Sequence, residues 1–481
     1  MFFLITIFSL LFIFIAIKRL ELAIQLLIFA LPAYLIRFKI GPIPSNLLEV
    51  MIWVVFLVWF MKNYQQILNN IRLRFTKNPK SKIQNPNLID YPFKWEIILL
   101  LIISFVSVGV AGFTDSSLGI WKAYFFEPLL LYIVVLNVFS GRQEQDGSDS
   151  LKLAKLLWPL AFSALAVSLV AIYQKLTGNL IDNPFWSAEA TRRVVSVFGY
   201  PNAVGLYLGP LILVFIGWLG YAKSVCRAPK KFQLIIALSI FISLTAIIFA
   251  RSKGAIVGVA AGLAIFALFA NRKSRLATLA VLVLATISCA TIPLAQHAVW
   301  EKLTLKDYSG TIRRIGWNDT WKMLSDGRLF FGAGLANFQN AIKPYHQEGF
   351  FYNRANDPDF QRKVVFNADY RKQVWQPLEI YLYPHNIFLN FWSELGLAGT
   401  LLFVWIIGKH FYISLQNLKS KIQNPENNLK YIVLGLMASM VVIVVHGLVD
   451  VPYFKNDLAV MFWLFVAMLS LVDLSNKSAK I

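Results

Sequence analysis

The sequence predicts an all-α polytopic membrane protein with about 12–13 transmembrane helices and one large extracytoplasmic loop. Three observations predict it. Of 481 residues, 57% are apolar and 15% are charged, with a mean hydropathy of +0.60, whereas a soluble domain carries about 25% charged residues. The apolar residues form continuous runs near the roughly 20 residues that a helix needs to cross a bilayer. The cations gather in alternate connections between those runs. A soluble enzyme, a disordered chain and a disulfide scaffold are excluded. A transmembrane barrel is excluded because its strands alternate polar and apolar residues. Cys226 and Cys289 are too few for a disulfide framework. The net charge of +21 would suit a nucleic-acid binder, but loop asymmetry explains it in a membrane protein, and no nucleic acid is expected as a partner.

The runs fall at 2–17, 20–36, 45–61, 96–113, 119–139, 155–173, 200–221, 233–250, 254–270, 276–296, 386–408, 431–449 and 457–473. The first two are short, and either form a tight hairpin or include one interfacial segment. Residues 1–17 lack a basic n-region and a cleavage site, and Lys18 and Arg19 follow the run. They read as a retained helix, not a signal peptide.

The connections 62–95, 222–232, 271–275 and 409–430 are basic and all fall on one side, which the positive-inside rule makes the cytoplasm. The other side receives the one long hydrophilic segment. The chain thus divides into N-terminal transmembrane helices (1–61), a basic cytoplasmic linker (62–95), a central transmembrane bundle (96–296), a large periplasmic loop with amphipathic helices (297–385), C-terminal transmembrane helices (386–473) and a cytoplasmic tail (474–481). With thirteen spans the N-terminus lies outside, and with twelve it lies inside. The string Lys-Ser-Lys-Ile-Gln-Asn-Pro occurs at 80–86 and again at 419–425, and reads as a duplicated flexible spacer.

Several charges stand where the bilayer makes them costly. Arg192 and Arg193 precede an apolar stretch, and Arg251-Ser252-Lys253 sits between two long apolar runs with almost no loop. A cation at that depth usually faces a cavity or an anionic partner; the plainer reading is a snorkelling side chain. Lys122 and Glu127 are five residues apart, a spacing that does not share a helix face well. Asp450 follows His446 by four residues, so both can share one. In the long loop, Arg314, Trp317, Trp321 and Leu324 follow helical spacing, and Ser325-Asp326-Gly327 ends the helix. Gly332-Ala333-Gly334 lacks the preceding strand and third glycine of a dinucleotide site, and reads as a tight turn into a second loop helix. The aromatic stretch from Tyr345 to Tyr383 suits sugar stacking or interfacial anchoring alike.

The loop ends in Tyr383-Pro384-His385-Asn386, followed after nine residues by Gly396 and then Gly399, with Glu394 two before the first glycine. This resembles the His-Asn-x9-Gly-x-x-Gly signature of the O-antigen ligase and polymerase superfamily. Phe198-Gly199-Tyr200-Pro201-Asn202, Arg251-Ser252-Lys253-Gly254, Arg314-x-x-Trp317 and Gly332-x-Gly334-x-x-Asn337-Phe338 resemble its other motifs, over about residues 90–470. In Arg251-Ser252 the order departs from members that place the serine first. The resemblance implies a C-type, inverting glycosyltransferase of the bacterial plasma (inner) membrane. It would transfer a glycan from a polyprenyl (undecaprenyl) diphosphate carrier to a lipid, glycan or protein acceptor, facing the periplasm or exterior.

His385 is the expected general base, since imidazole titrates near neutrality, and Asn386 would orient it or a substrate hydroxyl. Arg192, Arg193, Arg251 and Arg314 are the expected diphosphate ligands, because guanidinium binds phosphate in a bidentate way. Lys122, Glu127, Glu394 and Asp450 stand behind them. Neither a metal nor another cofactor is expected, because the arginines would meet the charge of the departing diphosphate. The rival reading is a multispan transporter or flippase of lipid-linked sugars. Such a protein would show repeated halves and charges at the midplane of several helices.

Overall fold

The computed structural model describes residues 2–41, 43–75, 91–140, 149–225, 228–292, 296, 300, 304–420 and 429–478. Residues 76–90 of the basic linker, with the first copy of the repeated string, five of the seven residues of the second, Cys226 and the end of the C-terminal tail lie outside these residues.

Each of the thirteen apolar runs contains helix. In order these are Phe2–Lys18, Leu20–Phe29, Leu47–Phe75, Lys94–Val110, Asp115–Trp121 continued by Glu127–Phe139, Asp149–Thr177, Pro201–Ser224, Lys230–Ala250, Lys253–Ala270, Arg272–Thr291, Ile387–Ser420, Lys430–Gly447 and Asn456–Ser478. Among the described residues, nine helices are long and apolar enough to cross a membrane. The first two are shorter, Lys94–Val110 has 17 residues, and Arg272–Thr291 begins with three cations in four residues.

The run 20–36 departs from expectation. Its α-helix stops at Phe29, and Pro32 enters a 3-10 turn, Leu31–Leu35, because proline removes a donor and crowds the preceding turn. An antiparallel hairpin follows, Arg37–Ile40 against Ile43–Asn46, with Arg37 opposite Asn46. Asn46 then caps the next helix by accepting from the Glu49 N–H at 3.0 Å.

Close backbone approach holds the centre of the bundle. A Cβ on Gly435 would stand 2.8 Å from the Leu213 carbonyl oxygen, and one on Gly262 2.9 Å from that of Ala438. The helices Pro201–Ser224, Lys253–Ala270 and Lys430–Gly447 therefore pack through small residues, as membrane helices do where lipid supplies no hydrophobic drive. Asn456–Ser478 is buried on nearly every side.

The connections segregate onto two faces in the alternating order that the charges predict. On one, Lys430 Nζ donates to the Ala270 carbonyl at 2.6 Å. On the other, Arg193 Nε donates to the Ala250 carbonyl at 3.0 Å and Asn202 Nδ2 donates to Asp450 at 3.0 Å. The long loop joins this second face. Its first helix, Tyr308–Met323, is capped by Asp307, which accepts from the Gly310 N–H at 3.0 Å. Gly327, at φ 77°, ends the turn that follows. After the short helix Phe338–Ile342 comes a hairpin, Gly349–Phe351 with Trp375–Pro377.

Between those helices, residues 328–337 interlock with Ile387–Ser420. The Ala333 N–H donates to the Ser393 carbonyl at 2.6 Å, the Leu397 N–H to that of Phe330 at 3.1 Å, and Trp392 Nε1 to that of Leu329 at 2.7 Å. Gly396, at φ 75° and ψ −174°, kinks the helix where the Phe330 carbonyl meets it. The Gly-x-Gly segment is thus a turn fitted to a helix kink.

Candidate functional site

The residue order Tyr-Pro-His-Asn sets the site. Asn386 Oδ1 accepts from the N–H groups of Phe388 and Leu389 at 3.0 and 3.1 Å, so it caps the helix, while its Nδ2 donates to the Leu448 carbonyl at 3.1 Å. His385, one residue earlier, has φ 51°, a strained conformation for a side chain with a Cβ. That backbone fixes the imidazole between two rings, with centroids 5.0 Å from Tyr381 and 5.1 Å from Tyr383, both edge-on.

Nδ1 of His385 is buried and lies 3.9 Å from Asp450 Oδ1, while 23% of the side chain stays exposed. A small cavity of about 40 Å³ borders His385, lined also by Arg313, Asp319, His346, Glu379, Tyr381 and Tyr383. Trp317 Nε1 donates to the Pro384 carbonyl at 2.8 Å and ties the loop helix to the histidine's segment.

Asp450 is 2% exposed. Its Oδ2 accepts from Asn202 Nδ2 at 3.0 Å and its Oδ1 from the Val451 N–H at 2.9 Å. Burial pushes the carboxyl up, but His385, His446 and the Val451 amide outweigh it and hold it at about 2. Asp450 is thus a fixed anion behind the histidine. Arg193 continues the chain, since its Nη2 donates to Asn202 Oδ1 at 3.2 Å. Burial and the neighbouring Arg251 both lower its pKa. Arg251 sits at φ 51° in the turn between two helices and is exposed. Arg193, Asn202, Asp450 and His385 therefore form one polar chain, with Arg251 at its end.

The other candidates lie differently. Arg192 turns back on its own segment, donating to the carbonyls of Ser187 at 3.1 Å and Lys175 at 3.0 Å. Arg314 is exposed, and its neighbour Arg313 borders the cavity and donates from Nε to the Val449 carbonyl at 2.8 Å. Convergence of all four arginines on one pocket is not what the structure has. Arg192 is held by its own segment, and on the loop helix it is Arg313, not Arg314, that borders the cavity.

Glu394 accepts from the Ala336 N–H at 2.6 Å and so holds the Gly-x-Gly turn. The expectation that Lys122 and Glu127 do not share a face is overturned by a π-helical turn, Lys122–Phe126, whose i→i+5 repeat aligns them. Lys122 pairs with Glu49 at 2.8 Å, and Glu127 accepts from Trp53 at 2.9 Å.

Sequence reasoning passed over Arg313, Tyr200 and Lys455 and gave Asn202 no role. Tyr383 and Tyr200 meet through their hydroxyls at 3.4 Å, and the Lys455 ammonium lies 4.5 Å from the Tyr200 ring centre. Proline next to the tyrosine, and lysine next to a helix start, gave no periodic signal. Among the described residues no group of three or more His, Cys, Asp or Glu is placed to hold a metal ion.

A search of curated proteins finds no match to this chain. The family model described as O-antigen ligase matches residues 238–404. That stretch begins in the helix before Arg251, includes the whole loop, and ends beyond His385, Asn386, Gly396 and Gly399. Residues 238–404 are thus similar to the O-antigen ligase family, within a chain whose helices are long and apolar enough to cross a membrane many times.

Proposed function

We propose that this protein transfers a glycan from a polyprenyl (undecaprenyl) diphosphate carrier to an acceptor hydroxyl at the outer face of the bacterial plasma membrane, as an O-antigen ligase or polysaccharide polymerase. The observation that supports the reading is His385, partly exposed at the border of a cavity, with its buried Nδ1 3.9 Å from the Asp450 carboxylate. An anion behind an imidazole holds its tautomer and stabilises the imidazolium that forms.

The acceptor O–H gives its proton to Nε2 of His385 as the oxygen attacks the anomeric carbon. The bond from that carbon to the phosphate oxygen breaks on the opposite side, so configuration inverts. The diphosphate leaves with the bonding electron pair. Arg313, which borders the cavity, meets that charge, with Arg193 and Arg251 assisting from the end of the polar chain behind His385, and without a metal ion. Asn386 fixes the histidine's backbone, a positioning role.

His385→Ala in lipid vesicles, with a lipid-linked glycan donor, tests the proposal. Transfer should fall by about 10²–10⁴ while folding is unchanged. A variant that transfers at the wild-type rate would remove His385 from the reaction.

A further inference from the structure

The turn that interlocks with the kink at Gly396 sits deep. Leu397, whose N–H donates to the Phe330 carbonyl, lies about 15 Å down its helix from Ile387 and about 18 Å from Lys409, at 1.5 Å per residue. Lys409 pairs with Glu96 at 2.7 Å near the opposite face. A bilayer's hydrocarbon core is about 30 Å thick, so with Lys409 at one edge the Phe330 carbonyl stands about 12 Å inside the other. The neighbouring helix ends inside the core as well. Lys94–Val110 has 17 residues, about 25 Å of helix, and its loop-side end meets the same turn. A Cβ on Gly334 would stand 2.6 Å from the Ala111 nitrogen, and the Leu335 N–H donates to the Ser107 carbonyl at 3.4 Å.

Non-helical backbone at such a depth is tolerated only where its polar groups are paired within protein. This segment meets that condition. The N–H groups of Gly332, Ala333, Leu335, Ala336 and Asn337 donate to Arg328, Ser393, Ser107, Glu394 and Gly334 respectively, and residues 332–335 are buried. The two side chains just before them are not: Phe330 is 68% exposed and Phe331 63%. Both helices that hold the turn expose apolar side chains too, Phe105, Val106 and Leu401 among them. Nearer the surface stands Trp321, exposed and edge-on to Trp392 at 5.8 Å, as tryptophan stands at a bilayer's interface.

We propose that Phe330 and Phe331 are a wedge sunk into the acyl chains of the leaflet on the loop's side, which makes the long loop a bilayer-bound element and not a cap in water. Trp317, on the helix that leads into the turn, donates to the Pro384 carbonyl, so a wedge fixed in lipid also sets the height of the His385 segment. The wedge depends on the spans and owes nothing to glycan transfer, so its failure would leave the transfer reading untouched.

The test uses the full-length protein with Cys226 and Cys289 replaced by serine. One cysteine is then introduced, Phe330→Cys or Phe331→Cys, labelled with an environment-sensitive fluorophore, and the protein is placed in phosphatidylcholine nanodiscs. Leu401→Cys is the lipid-facing reference, and Asp369→Cys, on an exposed charged stretch of the loop, is the water-facing one. At both phenylalanine positions the emission should shift to the blue of that at Asp369. Doxyl-labelled lipid should quench it as at Leu401, and iodide should quench it several-fold less than at Asp369. Neither substitution removes a backbone hydrogen bond of the turn, and the two positions must agree. Iodide quenching as strong as at Asp369, at either position, puts the turn in water and overturns the proposal. Protection from both quenchers overturns it too, because a protein surface, such as a second copy of this chain, then covers the pair.

Discussion

Gly396→Ala is the substitution to which the architecture is most sensitive. At φ 75° and ψ −174° the residue occupies a region that is essentially glycine's alone, and strain there is of order 1–3 kcal/mol. A new Cβ would also stand 2.8 Å from the carbonyl carbons of Phe330 and Phe331. These are backbone atoms, so no rotamer change relieves the clash and the turn 328–337 must move away. That movement breaks the Leu397–Phe330 bond and strains Ala333–Ser393 and Ala336–Glu394, each about 1 kcal/mol net. The sum is about 4–6 kcal/mol. Two assays in vesicles read it: thermal unfolding, and the rate at which a protease cuts within 304–385. Gly408→Ala on the same helix is the control, since its Cβ would meet nothing within 4 Å and helix propensity favours alanine by about 1 kcal/mol. If Gly396→Ala melts and resists protease as Gly408→Ala does, the interlock is not what fixes the loop.

Three further outcomes follow from the site. Asp450 is held at about 2 against an ordinary 3.8, so its interactions contribute about 2–3 kcal/mol. For a depressed carboxyl that stability is full above about pH 4 and is lost as pH falls toward 2; the melting temperature should drop across that window, and less in Asp450→Asn. Arg313→Ala should reduce transfer more than Arg314→Ala, because only Arg313 borders the cavity; equal losses in a vesicle assay would place the anion elsewhere. Single cysteines introduced within 304–380 should react with an impermeant thiol reagent from outside intact cells, and those at 223, 230 and 409 only after permeabilisation; the opposite pattern would invert the topology.

Helix positions were legible because continuous apolar runs of spanning length leave little choice in a bilayer. His385 and Asn386 were legible from their spacing to Gly396 and Gly399. The π-helical turn at Lys122–Phe126 was not, because hydrophobic periodicity assumes 3.6 residues per turn and π turns carry no residue signature. Arg314 was chosen over Arg313 for a related reason. Helical spacing groups Arg314 with Trp317, Trp321 and Leu324, but it is Arg313 that borders the cavity. Lys455 was invisible because its partners come from distant segments, Tyr34, Phe198 and Tyr200, which only the fold brings together.

The account's central claim is that His385 and Asp450 act as one unit on the acceptor's proton. A double-mutant cycle on glycan transfer tests it most directly, with His385→Ala, Asp450→Asn and both together in the same vesicles. Residues that act as a unit are strongly non-additive. The double variant should therefore transfer at the rate of His385→Ala alone. Losses that multiply, or an Asp450→Asn variant that transfers at the wild-type rate, would contradict the claim.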